Sequence, residues 1–325
     1  MNEENNQSRV DLTRFAEKML EARQTIAQVI VGQEEAVDLV LTAILADGHV
    51  LLEGVPGVAK TLLTKVVARL IDARFARIQF TPDLMPSDIL GTSVFDMKES
   101  AFHFHQGPVF TDILLADEIN RAPAKTQAAL FEVMEERQAT VDGTTYPMGD
   151  LFAVLATQNP VEQEGTYGLP EAQLDRFIMK VTMGYPTLEQ EVVILQRHQM
   201  NNRLTLLENI RPVMAREEVA RFRALLDRVV VDASLLDYIA RVVQATRSHR
   251  AVFLGASPRA AVALLRASKA YALLQGRDFV TPDDVKHLVV PVLHHRIIIS
   301  SEAEMEGVTP DKLLIEVANT MAVPR

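Results

Sequence analysis

Cysteine is absent from all 325 residues. That absence excludes disulfide frameworks, thiol catalysis, thiolate zinc sites and iron–sulfur clusters, and it fits a reducing compartment. Glycine and proline are sparse, at 14 and 15 residues, so collagen-like, low-complexity and disordered scaffolds are excluded as well. A composition 48% hydrophobic and 23% charged is that of an ordinary globular protein. Basic residues fall short of acidic ones, 33 against 43, leaving a net charge of −10. The mean field therefore repels polyphosphate backbones and argues against a generic DNA-coating role. Long apolar runs are also missing: no segment approaches the roughly 18 to 20 residues needed to cross a bilayer. The first 25 residues open polar and acidic, without the basic start and apolar run of a secretory signal. A soluble, cytoplasmic chain with no membrane insertion is expected.

What is present reads as about two domains, on a prior of one per roughly 100 to 200 residues. Apolar residues at Leu12, Phe15, Ala16, Met19 and Ala22 recur at spacings of three and four, which predicts a helix from Val10 to Gln28 with one buried face. A second helix is expected from Glu34 to Leu45. Short apolar runs at 49–53, 76–80, 113–116 and 151–157 read as buried strands, with helical stretches at 60–70 and 124–137 between them. Apolar strands alternating with helices imply a parallel sheet covered on both faces, so residues 1–185 read as one α/β domain. After Pro186 helical patterns dominate, at 187–199, 216–230, 233–247, 258–275, 282–290 and 310–320. Thr281 and Thr309, each followed by proline, are set to cap two of these helices. Residues 213–325 are thus expected to form a helical domain, joined through 186–212. Two insertions read as hairpins, at 92–109 and, around Asp142–Gly143, at 138–150. Alternation in the first puts Phe102 and Phe104 on one face and His103 and His105 on the other. The phenylalanines read either as core residues or as a grip on another protein. The histidines read as solvated rather than metal-binding, because no third ligand is apparent nearby.

Residues 54–61, GVPGVAKT, lie between an expected strand and an expected helix, the context a phosphate-binding loop requires. Gly54 and Gly57 let the backbone curl through Val55, Pro56 and Val58 so that successive amides face the phosphates, and the helix start adds its partial positive charge. Lys60 would reach the β- and γ-phosphates, Thr61 would hold Mg²⁺ through its hydroxyl, and Leu62 continues the helix. Ala59 stands where the general GxxxxGK[ST] pattern has its second glycine. Downstream, residues 113–118 form an apolar strand ending in two acids. Asp117 would position Mg²⁺ through its waters, and Glu118 would orient and polarise the attacking water as general base.

These segments, with ATQNP at 156–160, LPEAQLDRF at 169–177, and the stretch from Asp117 to Glu136, resemble the MoxR family of AAA+ ATPases. The likeness runs from Val31–Gln33 to the C-terminal Thr309–Leu314, and an alanine at position 59 is usual in that family. The resemblance implies an AAA+ P-loop core with a five-stranded parallel sheet between helices, followed by an all-α lid. It implies that Gly32 and Gln33 pack beside adenine, that Asn159 acts as sensor 1, that Arg176 is an arginine finger entering a neighbour's site, and that Arg259 is sensor 2. ATP and Mg²⁺ are the implied cofactors. A homo-oligomer, hexameric in this family, is implied to remodel or mature a client protein complex, with metal insertion and von Willebrand factor A domain partners among the family's themes. Arg121 is a second candidate interface arginine.

Two other functions use the same pocket. A nucleic-acid motor would need a basic grip, but the 92–109 insertion holds one lysine and no arginine against Asp96 and Glu99, poor material for binding phosphates. Nucleic acid is therefore not the expected partner. A slow, nucleotide-gated scaffold is the remaining alternative.

Overall fold

The computed structural model describes residues 12–159, 167–200 and 207–323. These residues fall into two compact units, one formed by Gln24–Ala220 and the other by the described residues before Gln24 together with those from Arg221 on.

The first unit is built on a sheet of five parallel strands: β1 (His49–Glu53), β2 (Phe75–Gln79), β5 (Ile113–Asp117), β8 (Ala153–Gln158) and β9 (Phe177–Thr182), in the order β2-β5-β8-β1-β9. Val50, Leu51 and Leu52 of β1 lie level with Leu155, Ala156 and Thr157 of β8, and β5 pairs with β8 on the other side. The central strands carry the apolar runs read from the sequence because both their faces are covered. Leu51, Leu114, Ala116, Val154 and Ala156 share one buried cluster with Leu130, Phe131 and Met134 of the helix α5 (Ala124–Glu136). At the start of β1, the Val154 N–H donates to Nδ1 of buried His49 at 3.0 Å, so the ring's Nε2 carries the proton shared with the Met134 carbonyl at 3.2 Å.

The strand β2 departs from its expected form. Only Ile78 is fully buried, with Arg77 exposed and Gln79 half-buried, because β2 is the edge of the sheet and not one of its interior strands. The sheet's other edge, β9, was not located from the sequence. Its apolar residues are broken by Lys180, and so short a run cannot be told from a buried helical turn by periodicity alone; here pairing with β1 decides the matter.

Both insertions are antiparallel hairpins. β3 (Gly91–Asp96) pairs with β4 (Ala101–Gln106), and β6 (Gln138–Val141) with β7 (Thr144–Pro147), turning at Asp142–Gly143. The phenylalanines expected on one face of β4 have different surroundings. Phe104 stacks on Tyr146 of β7 at 4.2 Å and meets Phe110 edge-on, docking one hairpin on the other. Phe102 is 72% exposed and touches the exposed Phe95 across the strand pair. His103 pairs with Glu99 at 2.8 Å.

In the second unit, helices Ala233–Ser248, Pro258–Leu274, Pro282–Leu293 and Pro310–Thr320 begin at Asp232, Ser257, Thr281 and Thr309, and each of these side chains accepts an N–H from the first turn. The two threonine caps are those expected. The helices bury Leu264, Leu288, Val292 and Leu314, and a short antiparallel strand pair, Val252–Leu254 with Ile298–Ile299, accompanies them.

Candidate nucleotide site

In an open parallel sheet, ligands bind beyond the carboxyl ends of the strands. Here that edge gathers the loop after β1, the acids that end β5 and Asn159 just after β8. The loop runs from Gly54 into the helix α3 (Lys60–Leu70). Gly54 is packed so closely on the Met183 carbonyl that an added Cβ would stand 2.6 Å from it, whereas Gly57, at φ +89°, faces open space. Ala59 takes a left-handed conformation, φ 68° and ψ 22°, at the residue before the helix. A methyl group there carries about 1–2 kcal/mol of strain, so the missing second glycine is tolerated conformationally and not because the turn avoids the glycine region.

The Lys60 ammonium donates to the carbonyl of Gly54 in its own loop and, at 3.3 Å, to that of Gln158 on β8. It is thereby held at the seam between the loop and the strand that leads to Asn159, itself 7% exposed. Thr61 and Leu62 follow on the first turn of α3, both half-buried, and Val58 beneath the loop is buried.

The two acids are held by residues that sequence reasoning missed. Asp117, 9% exposed, accepts two N–H groups of Arg77 on Oδ2, from Nε at 3.0 Å and Nη2 at 2.7 Å. Its Oδ1 accepts the Thr157 hydroxyl at 2.5 Å. That hydroxyl in turn accepts the Glu118 N–H at 2.9 Å. Glu118 is left-handed, φ 56° and ψ 50°, a conformation that persists in a non-glycine residue only where its surroundings fix it. Its Oε2 receives Gln79 Nε2 at 2.8 Å and faces Arg121 Nε at 3.0 Å. The available signal was two polar residues flanking Ile78 in a strand expected to be buried.

Gly32, at φ +71°, abuts the Gln190 side chain, and Gln33 Nε2 donates to the Gly184 carbonyl at 3.0 Å. The 31–33 segment thus packs on the chain leaving β9. One expected site residue of this unit lies away from the loop. Arg176 precedes β9, whose parallel start is level with the start of β1, so it sits at the sheet edge opposite the loop, about 15 Å away along five residues of strand. Its guanidinium donates to the Phe131 carbonyl. Arg259 is exposed in the first turn of Pro258–Leu274, in the second unit. Pro160 of the ATQNP segment lies outside the described residues.

Residues 49–179 match the family model of ATPases associated with various cellular activities (AAA), and residues 244–317 match an AAA lid domain. The YeaC protein of Bacillus subtilis is 47% identical over 93% of this chain and 94% of its own length. Chaperone MoxR1 of Mycobacterium tuberculosis is 42% identical over 92% of this chain and 81% of its own. The chain belongs to the MoxR family of AAA+ ATPases. Protein MoxR of Methylorubrum extorquens is 30% identical over 96% and 97% of the two chains. A crystal structure of a Cytophaga hutchinsonii protein, 41% identical, superposes with a TM-score of 0.85 over 95% of this MoxR-family chain and 98% of that one.

The donor set suits the cation a MoxR-family ATPase is expected to use. The Thr61 hydroxyl and Asp117 carboxylate are hard oxygens, and Mg²⁺ is usually held by one or two such protein groups together with substrate phosphates.

Proposed function

We propose that this protein hydrolyses ATP to ADP and phosphate with Mg²⁺ and uses the cycle to remodel or mature a client protein complex. The observation that carries the reading is the convergence of Lys60, Asp117, Glu118 and Asn159 on three adjacent strand ends, with the Lys60 ammonium bridging loop and β8.

The loop from Gly54 to Leu62 cradles the phosphates with its amides, and Lys60 turns from the carbonyls to the β- and γ-phosphates. Thr61 and Asp117 would hold Mg²⁺, which when bound neutralises charge developing on the transferred phosphoryl group. Glu118 takes a proton from water through Oε1 as the water oxygen bonds to the γ-phosphorus and the bond to the ADP oxygen breaks. Asn159 orients that water and the γ-phosphate. Gly32 and Gln33 line the adenine side, and to Arg259 we assign the sensor 2 role.

Arg176 lies at the sheet edge away from its own chain's loop, which supports its assignment as a finger acting in trans within a homo-oligomer, hexameric by family likeness. To act so, its guanidinium must leave the Phe131 carbonyl. The β3–β4 hairpin, with exposed Phe95, Met97 and Phe102, is the element we assign to client contact, and a von Willebrand factor A domain protein is the proposed adaptor. We place the work in the cytoplasm, where ATP is supplied.

The test compares Glu118→Gln and Arg176→Ala with the parent protein. Each variant should bind ATP as the parent does and lose turnover by about 100-fold or more, and mixing the two should restore some activity, because the pocket of an Arg176→Ala subunit keeps its own Glu118 and can receive Arg176 from an adjoining Glu118→Gln subunit. Normal turnover by Arg176→Ala defeats the trans assignment. Normal turnover by Glu118→Gln defeats the proposed chemistry.

A further inference from the structure

Arg77 belongs to none of the motifs, yet it touches Asp117 and, through Gln79, reaches Glu118. It lies on the edge strand β2 one residue before Ile78, so its side chain and that of Gln79 share a face while Ile78 turns into the core. Register sets Gln79 beside Asp117. From this position Arg77 gives two N–H groups to Oδ2 of Asp117, and its Nη2 also donates to Gln79 Oε1 at 2.7 Å. The second contact fixes the Gln79 amide: with the oxygen facing Arg77, the amide nitrogen faces Glu118, where it donates to Oε2 at 2.8 Å.

An ionised carboxylate has about four acceptor positions, two on each oxygen. Arg77 takes both on Oδ2 and the Thr157 hydroxyl takes one on Oδ1, so Asp117 offers one direction to any further partner. The guanidinium also opposes the charge with which Asp117 draws a cation. We propose that Arg77 is a positioning residue that sets how strongly Asp117 attracts Mg²⁺ and, through Gln79, how the Glu118 carboxylate is aimed. This rests on the ATPase reading above.

The two roles predict opposite signs. Without the guanidinium, Asp117 attracts a cation more strongly because its counter-charge is gone, while turnover falls because Asp117 and Glu118 are no longer held. A merely structural residue would weaken both. Lysine returns the charge, but its single ammonium lacks the planar fork that serves Asp117 and Gln79 at once.

The experiment uses the full chain and a fluorescent non-hydrolysable ATP analogue titrated with Mg²⁺, alongside steady-state hydrolysis. For Arg77→Ala, the half-saturating Mg²⁺ should fall about three- to tenfold and kcat about tenfold, with KM for ATP little changed. Arg77→Lys should recover the parental Mg²⁺ requirement but not kcat. An Arg77→Ala protein that needs as much Mg²⁺ as the parent, or that turns over at the parental rate, overturns the proposal. Should Arg77→Ala fail to fold by thermal melting, Arg77→Lys decides alone: low kcat at a parental Mg²⁺ requirement supports the role, and parental kcat refutes it. A parent protein with no Mg²⁺-dependent nucleotide binding would refute the ATPase reading itself, a distinct result.

Discussion

The strands β2 and β5 are tied by an arginine–aspartate pair at each end, and the two pairs have different purposes. At the starting edge, Asp112 accepts the Arg74 backbone N–H at 2.8 Å and Nε at 3.1 Å on Oδ2, and Nη2 at 2.9 Å on Oδ1, with Arg216 3.7 Å from Oδ2. At the finishing edge, Asp117 is held by Arg77 and Thr157 but keeps an acceptor direction on Oδ1. Each carboxylate accepts three hydrogen bonds, two on Oδ2 and one on Oδ1; what differs is the second arginine beside Asp112 and the place of Asp117 at the strand ends beside the Gly54–Leu62 loop. With a second arginine alongside and far from the loop, Asp112 is a fastener; Asp117, beside the loop, is the aspartate to which we assign the cation. In the second unit, Asp284 repeats the fastener. It takes Arg277 on both oxygens and the Thr281 N–H and hydroxyl on Oδ2, closing a capping box at the start of Pro282–Leu293.

The contrast is sharpest in paired substitutions. Asp117→Asn should lower ATP turnover by about 100-fold or more while reducing stability by about 1 kcal/mol, since Asp117 has neither the backbone N–H bond nor the second arginine that Asp112 has. Asp112→Asn should do the reverse, costing about 2–3 kcal/mol in denaturant unfolding with turnover per folded molecule unchanged. If both variants lose activity in proportion to stability, the distinction between the two ends is wrong.

Asp284→Asn should cost about 2 kcal/mol by the same reasoning, measured by chemical denaturation. The fasteners also predict a pH dependence. Burial pushes the Asp112 carboxyl up, but the Arg74 side chain and backbone N–H, with the Arg74 and Arg216 charges, outweigh it and hold it below its ordinary value. Asp284 follows the same balance, with burial opposed by Arg277 and Thr281. Groups depressed on folding add stability above the unfolded carboxylate pKa of about 3.9 and lose it as pH falls through the folded value. Acid unfolding below about pH 4 should therefore be less steep in Asp112→Asn than in the parent; an unchanged profile would remove Asp112 from the fasteners.

The smallest expected effect concerns backbone strain at the ligand end. Ala59→Gly should relieve the left-handed alanine and raise stability by about 1 kcal/mol without weakening ATP binding. A loss of nucleotide affinity would show that the methyl group itself supports the loop.

Much of the site was legible in the letters. The loop, the acid pair and Asn159 each stand at a strand end, and strand ends are readable because apolar runs stop there. The residues that hold the acids were not. Arg77, Gln79 and Thr157 meet Asp117 and Glu118 across gaps of 39 or 40 residues, and the one local signal, polar residues flanking Ile78, does not say what they hold. Phe102 and Phe104 show the same limit. Alternation put them on one face, but only the neighbouring hairpin, through Tyr146, decided which would be covered.

What the sequence by itself determined is the alternation of strand and helix, the capped helical second half and the phosphate loop, because these depend on periodicity and on residues within a turn or two of one another. The tertiary structure alone decided the strand order, the place of β2 at the edge, the site's separation from Arg176, and which groups hold each aspartate. Those follow from pairing between segments far apart in the chain, where the partner's identity, and not a residue's own character, fixes what each side chain can do.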